Sequence, residues 1–431
     1  MLSTEQNRLV TETKPGTPAG ELLRRYWQPA ALVEELQGER PVMPVRLLGE
    51  ELVLFRDDAG VYGLIGRHCA HRGADLCYGR LEDGGLRCPF HGWLFDVAGR
   101  CLEQPAEPVT SNFHRKVRHP GYPVREASGI LFAYLGPGEP PPLPTFDCFR
   151  APGSHTFAFK GHIDANWLQS LEVGIDPAHA AYLHRYFEDA EADEAYGLQF
   201  RDRVDNTEIP LTQLMRQFPN PQIEVETTGY GLRIFALRDL DDTRRHVRVT
   251  NLAFPQAIVI PLSTDMTLTQ WHVPIDDRQS WWYAIFTAFS APVDQAQMRA
   301  DRVKLIETPG YRPRRNRTNH WGYDAAEQRA RTYTGMGEDI NVHDAWAVES
   351  PGPIADRTRE HLGTTDRAII ANRKLLFAAL DAVGKGEPPM ALADPANPLA
   401  IDTVVPLDGW DAAWRAAEAR RRAASPWASR Q

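Results

Sequence analysis

Short apolar runs separated by glycine and proline fill the first third of the chain. The clearest runs cover Pro44–Leu48, Glu51–Arg56, Val61–Gly63 and Gly129–Leu135. Runs of this length with frequent turn residues between them are typical of antiparallel strands. They predict an all-β domain within residues 1–140, with a core over about residues 27–137.

The pattern changes at the segment GPGEPPPLP, Gly136–Pro144. This segment cannot continue a helix or a central strand, so we place a domain boundary between residues 140 and 141. Beyond it, helical patterns near Asn166–Tyr186, Asp294–Glu307 and Asp366–Gly384 alternate with strand patterns near Gly231–Leu237, His246–Phe254, Ala257–Leu262 and Trp281–Phe286. This mixture predicts an α+β domain over residues 141–431, with helices packed on an antiparallel sheet.

Composition fits a two-domain cytoplasmic protein. The 431 residues exceed the usual size of one domain, and the net charge of −9 argues against nucleic acid as a partner. No run approaches the roughly 20 apolar residues that a membrane helix needs. Two of the five cysteines belong to the motifs described next. The remaining Cys77, Cys101 and Cys148 are an odd set, which favours small buried side chains over disulfides.

Two pairs of cysteine and histidine stand out as a metal site. They are Cys69-Ala70-His71 and Cys88-Pro89-Phe90-His91, with sixteen residues between His71 and Cys88. Two thiolates and two imidazoles suit a two-iron, two-sulfide cluster of Rieske type, with the cysteines on one iron and the histidines on the other. Zinc also accepts this set, but zinc fingers place their histidines together on a helix. The spacing therefore favours iron and sulfur over zinc.

A second group of candidate ligands begins just past the boundary. Residues 166–184 read NWLQSLEVGIDPAHAAYLH, which brings Asp176, His179 and His184 onto a predicted helix. His179 and His184 are five residues apart, which is about 140° around a regular helix. Both rings can face one metal only if the helix widens into a π-bulge or ends near residues 180–183. Two histidines and one carboxylate are the ligands of oxygen-activating ferrous iron.

These two motifs resemble those of the Rieske non-heme iron ring-hydroxylating oxygenases, whose patterns are C-x-H, C-x-x-H and N-W-x-Q followed by D-x-x-H-x-x-x-x-H. The resemblance extends over essentially the whole chain and implies an all-β Rieske domain followed by a helix-grip-like catalytic domain. It implies that Cys69, His71, Cys88 and His91 hold the cluster and that His179 and His184 bind mononuclear iron. Asp176 would then bridge the two sites by accepting hydrogen bonds from His179 and from a cluster histidine.

Spacing alone leaves the third iron ligand open among Glu172, Asp344, Glu349 and Asp356. Residues 340–366 resemble the C-terminal helix region of the phthalate 4,5-dioxygenase branch, and that resemblance favours Asp344. The same branch acts mainly on aromatic carboxylates, by dihydroxylation, hydroxylation or O-demethylation. Arg233 and Arg238 are candidates to hold a substrate carboxylate, although a structural ion pair or an exposed position is at least as common for a strand arginine. Leu171, Phe254 and Trp271 are candidate pocket residues.

The resemblance also implies partners. The chain has no dinucleotide-binding G-x-G-x-x-G and no plant-type four-cysteine pattern, so NAD(P)H must be oxidised by a separate flavin and iron–sulfur reductase or through a ferredoxin. Family members work as homotrimers in which the cluster of one protomer serves the iron of the next. The prediction is a terminal oxygenase that uses O2 on a small aromatic substrate. The alternatives are a Rieske electron carrier and a zinc-binding structural protein.

Overall fold

A computed structural model describes residues 1–188, 204, 207, 209–262, 265–390 and 397–430 of the chain. Its contacts divide the chain into two compact units. The small unit comprises Glu12–Leu143 and Val273–Asp277, and the large unit comprises Met1–Thr11, Pro144–His272 and Arg278–Gln431.

The α-helices are, in chain order, α1 (Thr4–Thr11), α2 (Pro18–Leu23), α3 (Asp147–Arg150), α4 (Trp167–Gly174), α5 (Ala180–Leu183), α6 (Leu211–Gln217), α7 (Gln295–Leu305), α8 (Ala325–Ala330), α9 (Ile340–Glu349), α10 (Arg367–Gly384) and α11 (Trp410–Ala424).

The β-strands are, in the same order, β1 (Gln28–Leu32), β2 (Val42–Leu47), β3 (Glu50–Arg56), β4 (Tyr62–Gly66), β5 (Arg80–Glu82), β6 (Gly85–Arg87), β7 (Leu94–Asp96), β8 (Cys101–Glu103), β9 (Gly121–Tyr122), β10 (Val124–Ala127), β11 (Ile130–Ala133), β12 (Thr156–Ile163), β13 (Gln222–Thr228), β14 (Gly231–Asp239), β15 (Arg244–Ala253), β16 (Ala257–Pro261), β17 (Met266–Pro274), β18 (Ser280–Ala288), β19 (Ile306–Glu307), β20 (Arg312–Pro313) and β21 (Ile401–Pro406).

The small unit consists of three antiparallel sheets with the strand orders β2-β3-β4-β9, β5-β6-β7-β8 and β1-β11-β10. Alternation along β3 and β4 directs Val53, Phe55 and Ile65 into a shared core, where Leu86 and Phe95 from β6 and β7 meet them. Cys69 and Cys88 belong to this same core cluster. The loops that carry the two Cys/His motifs are therefore anchored by a packed interior.

The large unit is built on an eight-stranded sheet in which seven strands follow the order β12-β18-β17-β16-β15-β14-β13 and the eighth, β21, pairs with β15. Two strands pair with the same edge of β15: residues 251–253 of β15 pair with β16, and residues 244–249 pair with β21. Helices α4, α9 and α10 contact one another or the sheet. The predicted architecture, a β domain followed by helices on an antiparallel sheet, is confirmed.

Two segments depart from the predicted division at residue 140. Residues 1–11 were predicted with the first domain, but they pack in the large unit, where Nε1 of Trp167 donates to the carbonyl of Val10 at 3.1 Å. Residues 273–277 comprise the last two residues of β17 and the turn after it, but they belong to the small unit, where the amide of Leu48 donates to the carbonyl of Pro274 at 2.9 Å. Hydrogen bonds between residues so far apart in the chain leave no local pattern in the sequence. None of the helices in the described ranges is long and apolar enough to cross a membrane.

Candidate metal centres and substrate cavity

The two Cys/His loops of the small unit have the same backbone design. The amide of Cys69 donates to the carbonyl of Ala74 and the amide of Gly73 donates back to Cys69, both at 2.8 Å. In the second loop the amide of Cys88 donates to Trp93 at 2.8 Å and the amide of Gly92 donates back to Cys88 at 2.9 Å. Gly73 and Gly92 both have φ near +75°, a conformation that favours glycine. Each loop thus turns back on its own cysteine and leaves its histidine at the tip.

The side chains at the loop tips fit a bound cluster. The rings of His71 and His91 lie 4.4 Å apart, and the Nδ1 atoms of both rings are buried without a hydrogen-bond partner. Cys69 and Cys88 are 3% and 2% exposed, and burial, followed by the neighbouring Cys88, raises the pKa of the Cys69 thiol to about 11. A pair of thiolates here would need a cation to balance it, and the two unpartnered nitrogens are free to bind one.

Neighbouring side chains pack around the two loops but are not candidate cluster ligands. Trp93 stacks on His71 at 4.5 Å. Arg67 forms an ion pair with Asp75 at 2.6 Å, and Asp75 accepts a hydrogen bond from the amide of Cys77 at 2.9 Å. Cys77 packs in the hydrophobic core, and burial raises the pKa of its thiol to about 12. This agrees with its expected role as a small buried side chain.

In the large unit, the predicted helix over Asn166–Tyr186 breaks where the candidate ligands lie. Helix α4 ends at Gly174, and the single turn α5 begins at Ala180. A bulge or a helix end was expected near residues 180–183, and α5 does end at Leu183. A further interruption lies earlier, where Oδ1 of Asp176 accepts from the amide of Ala178 at 2.8 Å. This turn replaces the helical hydrogen bonds between α4 and α5. His179 lies at the start of α5 and His184 at its end, so the two histidines flank a single helical turn and do not lie along one continuous helix.

His179, His184 and Asp344 form a group in which one ligand atom of each lies within 4.8 Å of the others. Oδ1 of Asp344 is 3.8 Å from Nε2 of His179 and 3.3 Å from Nε2 of His184. Ligands about 2.1 Å from a shared metal are separated by about 3.0–3.5 Å, so small adjustments suffice to bind an ion. Oδ1 of Asp344 is buried and makes no hydrogen bond. The three side chains therefore fit a mononuclear metal.

The pKa shifts of His179 and Asp344 favour the forms that bind a metal. Burial and then the neighbouring His184 lower the pKa of His179. Burial raises the pKa of Asp344, but His184 and His179 outweigh it and lower the pKa overall. A neutral imidazole and an ionised carboxylate are the ligand forms of these side chains.

Asp176 lies beside His179 but contacts it differently from the expectation. Nδ1 of His179 donates to the main-chain carbonyl of Asp176, whereas Oδ2 of the Asp176 side chain is 4.0 Å from that nitrogen. The carboxylate is drawn toward the amide of Ala178 instead. Within this chain the main chain of Asp176, rather than its carboxylate, orients His179.

The other candidate third ligands have structural partners. Glu172 accepts hydrogen bonds from the buried guanidinium groups of Arg357 and Arg373. Glu349 accepts from Nε1 of Trp321 and from the amide of Asp164, both at 3.1 Å. Asp356 caps a turn by accepting from the hydroxyl of Thr358 at 2.6 Å. Of the four carboxylates, Asp344 is the one that lies with the two histidines.

A cavity of about 150 Å³ adjoins these three side chains. Its floor is one face of the large sheet, on which alternate residues of the strands point the same way. The residues of this face that line the cavity are Arg248, Thr250, Ile260, Leu268, Gln270, His272, Trp282 and Phe286. Helix-borne residues cover it, including His179, His184, Asp344 and Arg216. The cavity is thus apolar at its centre, with guanidinium groups at its wall.

The candidate substrate residues considered from the sequence are absent from the described lining of this cavity, and the arginines have structural partners. Arg233 pairs with Glu226 at 2.7 Å, and Nε of Arg238 donates to the carbonyl of Phe218 at 2.8 Å. Trp271 points to the opposite face of β17 and stacks on Phe149 at 5.9 Å. Leu171 and Phe254 are buried and, like those three residues, are absent from the described lining of the cavity.

Arg216 and three other polar residues of the large unit were missed by sequence reasoning. Arg248 lines the cavity and forms an ion pair with Asp402; burial raises the pKa of Asp402, but His246 and Arg248 lower it to about 2. His272 also lines the cavity, and burial lowers its pKa to about 3. His343 is fully buried beside Asp344. Alternating polar positions in otherwise apolar strands, as in Gln270 and His272, were a usable signal for Arg248 and His272.

Comparison with known proteins supports the interpretation of both units. The family model described as Rieske [2Fe-2S] domain matches residues 26–114, and the one described as LigXa C-terminal domain like matches residues 133–429. The phthalate 4,5-dioxygenase oxygenase subunit of Pseudomonas putida is 35% identical over 97% of this chain and 95% of its own length. The 5,5'-dehydrodivanillate O-demethylase oxygenase subunit of a Sphingobium species is 32% identical over 94% of this chain and 86% of its own.

A solved structure shares the fold. The fluorene-bound oxygenase of carbazole 1,9a-dioxygenase, in complex with its ferredoxin, superposes with a TM-score of 0.56 at 21% identity. The superposition covers 86% of this chain and 95% of that one.

The β unit with its paired Cys/His loops and the sheet unit with its cavity define an oxygenase of the Rieske class. The chain belongs to the alpha subunits of the Rieske oxygenases, in the branch that resembles phthalate dioxygenase. It is a terminal oxygenase with a Rieske [2Fe-2S] cluster, so the zinc-protein and electron-carrier alternatives are wrong.

Proposed function

We propose that this oxygenase oxidises a small aromatic carboxylate at mononuclear ferrous iron bound by His179, His184 and Asp344. The observation that carries the proposal is the convergence of Nε2 of His179, Nε2 of His184 and Oδ1 of Asp344 at the wall of the cavity. Two histidines and one carboxylate leave coordination positions open beside the substrate space.

In the same proposal, Cys69 and Cys88 bind one iron of the Rieske cluster, and Nδ1 of His71 and of His91 bind the other. The buried and unpartnered state of both Nδ1 atoms supports this assignment. When bound, the cluster supplies single electrons and the mononuclear iron supplies the activation of dioxygen.

The cavity supports a one-ring substrate. Its volume of about 150 Å³ is comparable to that of a protein cavity that holds benzene. The side chains of Leu268, Trp282 and Phe286 provide an apolar surface that excludes water from a bound ring. A substituted benzoate therefore fits the space bounded by the described residues better than a two-ring compound does.

Guanidinium groups at the cavity wall suit a substrate carboxylate. Arg216 and Arg248 both line the cavity, and each presents a planar fork that can bind a carboxylate with two hydrogen bonds. Asp402 accepts from Arg248 on the protein side and thereby limits the directions in which its guanidinium can point. The arginines would hold the carboxylate and so orient the ring relative to the metal ligands.

Electron supply completes the proposal. A ferredoxin or a flavin and iron–sulfur reductase reduces the cluster, as the ferredoxin complex of the carbazole enzyme illustrates for a relative in fold. In a homotrimer, His71 or His91 of one protomer and His179 of the next would hold the groups between which electrons are transferred, and Asp176 would bridge these histidines. The half-buried carboxylate of Asp176, with one oxygen 4.0 Å from Nδ1 of His179, is placed at the edge of the ligand group.

Turnover of defined substrates tests this function. The anaerobically purified protein would be combined with a reductase from a phthalate-type system, NAD(P)H and a panel of phthalates, chlorobenzoates and methoxybenzoates. We expect O2 consumption coupled to a hydroxylated, dihydroxylated or demethylated product with at least one of these one-ring acids. His184→Ala is the matched control, because it should keep the cluster spectrum and lose turnover.

The assay distinguishes failure of the proposed substrate class from failure of the proposed iron site. Turnover of neutral two-ring compounds but of no benzoate would contradict the substrate class and leave the metal assignment standing. Full turnover by the His184→Ala variant would contradict the iron site itself.

A further inference from the structure

His343 is a fully buried histidine on α9, next in sequence to Asp344. We propose that His343 is a positioning residue that fixes the tautomer of His184 and so directs Nε2 of His184 toward the iron. This inference rests on the proposed iron site, and it assigns to His343 a role separate from that of the three ligands.

The hydrogen bonds of His343 determine which of its nitrogens carries the proton. Its Nε2 atom lies 2.9 Å from the carbonyl oxygen of Gly337. A carbonyl oxygen can only accept, so Nε2 must be the donor. In a neutral ring the other nitrogen, Nδ1, is then an acceptor.

That acceptor faces His184. Nδ1 of His343 and Nδ1 of His184 are 3.4 Å apart, and the two rings stack at 5.6 Å with an angle of 23°. Two nitrogens can bond only when one of them donates, so the proton lies on Nδ1 of His184. Nε2 of His184 is consequently unprotonated, and it is the atom 3.3 Å from Oδ1 of Asp344.

His179 reaches the same state by a different contact. Its Nδ1 donates to the main-chain carbonyl of Asp176, which again leaves Nε2 free on the side of Asp344. Metal-bound histidines commonly donate their second N–H to a carboxylate or carbonyl group that holds the ring in place. For His184, the group that accepts this second N–H is the neutral imidazole of His343.

The acceptor of the His343 proton is itself rigidly placed. Gly337 has φ of +82°, and a Cβ at this position would lie 1.8 Å from a guanidinium nitrogen of Arg315. Its amide donates to Oε1 of Glu327 at 2.7 Å. Close packing against Arg315 and the hydrogen bond to Glu327 thus hold the Gly337 backbone in place, and α9 supplies both a ligand and the residue that orients another ligand.

Two amide variants separate this role from simple packing. His343→Asn keeps an acceptor near the position of Nδ1 but loses the bond to Gly337. His343→Gln keeps a donor toward Gly337 but has no acceptor opposite His184. The measurement is an anaerobic Fe(II) titration of the mononuclear site, together with the EPR spectrum of the Fe(II) protein treated with nitric oxide.

We expect His343→Gln to weaken Fe(II) binding by about 10- to 100-fold and to change the shape of the nitric oxide EPR signal. His343→Asn should bind Fe(II) within about threefold of the unmodified protein, because it retains the acceptor. The visible spectrum of the Rieske cluster provides the control for folding in each variant.

Unchanged Fe(II) affinity in His343→Gln would overturn the inference, and so would equal losses in the two variants, which would indicate a packing role. If the unmodified protein bound no iron beyond that of its cluster, the proposed function would fail and the inference with it. If the unmodified protein bound Fe(II) tightly and both His343 variants bound it equally well, the role of His343 would be overturned and the proposed iron site would stand.

Discussion

Replacing Glu172 with glutamine should destabilise the large unit without removing iron. The Glu172 carboxylate accepts from Nε of Arg373 at 2.6 Å and from Nη2 and Nε of Arg357 at 3.0 and 3.2 Å. The Arg357 side chain is fully buried and that of Arg373 is 6% exposed. The variant would therefore leave two buried cations with half of their compensating charge.

The size of the effect follows from these contacts. Removing one partner of a buried ion pair costs about 3–5 kcal/mol. Arg373 keeps Glu360 at 2.6 Å and Arg357 keeps it at 3.9 Å, so the lower end applies. A loss of about 3 kcal/mol corresponds to a decrease of about 6 °C in the unfolding temperature of a unit this large.

The assay is differential scanning calorimetry with metal analysis of the same samples. Glu360→Gln serves as the matched control, since its partly exposed carboxylate should cost less when neutralised. A Glu172→Gln protein that lost one iron per chain but unfolded at the normal temperature would refute the reasoning. That result would make Glu172 a ligand and reopen the assignment of Asp344.

Three further outcomes are expected from residues around the cavity. Asp176→Asn should keep both metal sites but sharply slow electron delivery to iron in single-turnover experiments; unchanged kinetics would remove the bridging role. Arg248→Lys keeps the charge beside Asp402 but loses the planar fork, so the KM for a benzoate should rise about 10-fold or more while that of the matching benzamide changes little. Because burial holds the pKa of His272 near 3, the unfolded state binds a proton that the folded state does not between about pH 6.5 and that value. As the pH decreases through that window, the free energy of unfolding of the large unit should fall by about 1.4 kcal/mol per pH unit. In His272→Gln the urea midpoint should depend less on pH. Replacement of the exposed His361 with glutamine is the control and should leave the pH dependence unchanged.

The shared site of His179 and His184 could be anticipated from their local spacing, whereas Asp344 was favoured among four carboxylates only by the family resemblance. A five-residue separation of two histidines is incompatible with one regular helix that continues through both, and in the structure α5 ends at Leu183, directly before His184. The earlier interruption after Gly174 was not predictable, because it depends on the hydrogen bond from the amide of Ala178 to Asp176. Helix and strand periods carry no information about such a turn.

The cavity wall could not be predicted to the same extent. Arg233 and Arg248 have similar local settings, each in an apolar strand, and only the sheet register shows that Arg248 faces the cavity while Arg233 pairs with Glu226. Trp271 and His272 are neighbours in sequence, yet His272 lines the cavity and Trp271 points away. Which face of a strand meets the substrate is set by the packing of distant elements.

The role of His343 illustrates the same limit. The sequence places it beside Asp344, but its contact with His184 spans 159 positions and depends on how α9 meets the turn after α4. The fold class, the two ligand motifs and the absence of a reductase motif were accessible from the sequence. The atoms that orient the ligands became visible only in the structure.

The iron site is tested most directly by measuring iron, zinc and acid-labile sulfide per chain in the anaerobically purified protein and in Asp344→Asn. The account predicts about three irons and two sulfides in the unmodified protein, and about two irons and two sulfides in the variant, with the cluster spectrum unchanged. Three irons retained in Asp344→Asn, or zinc without sulfide in the unmodified protein, would contradict it.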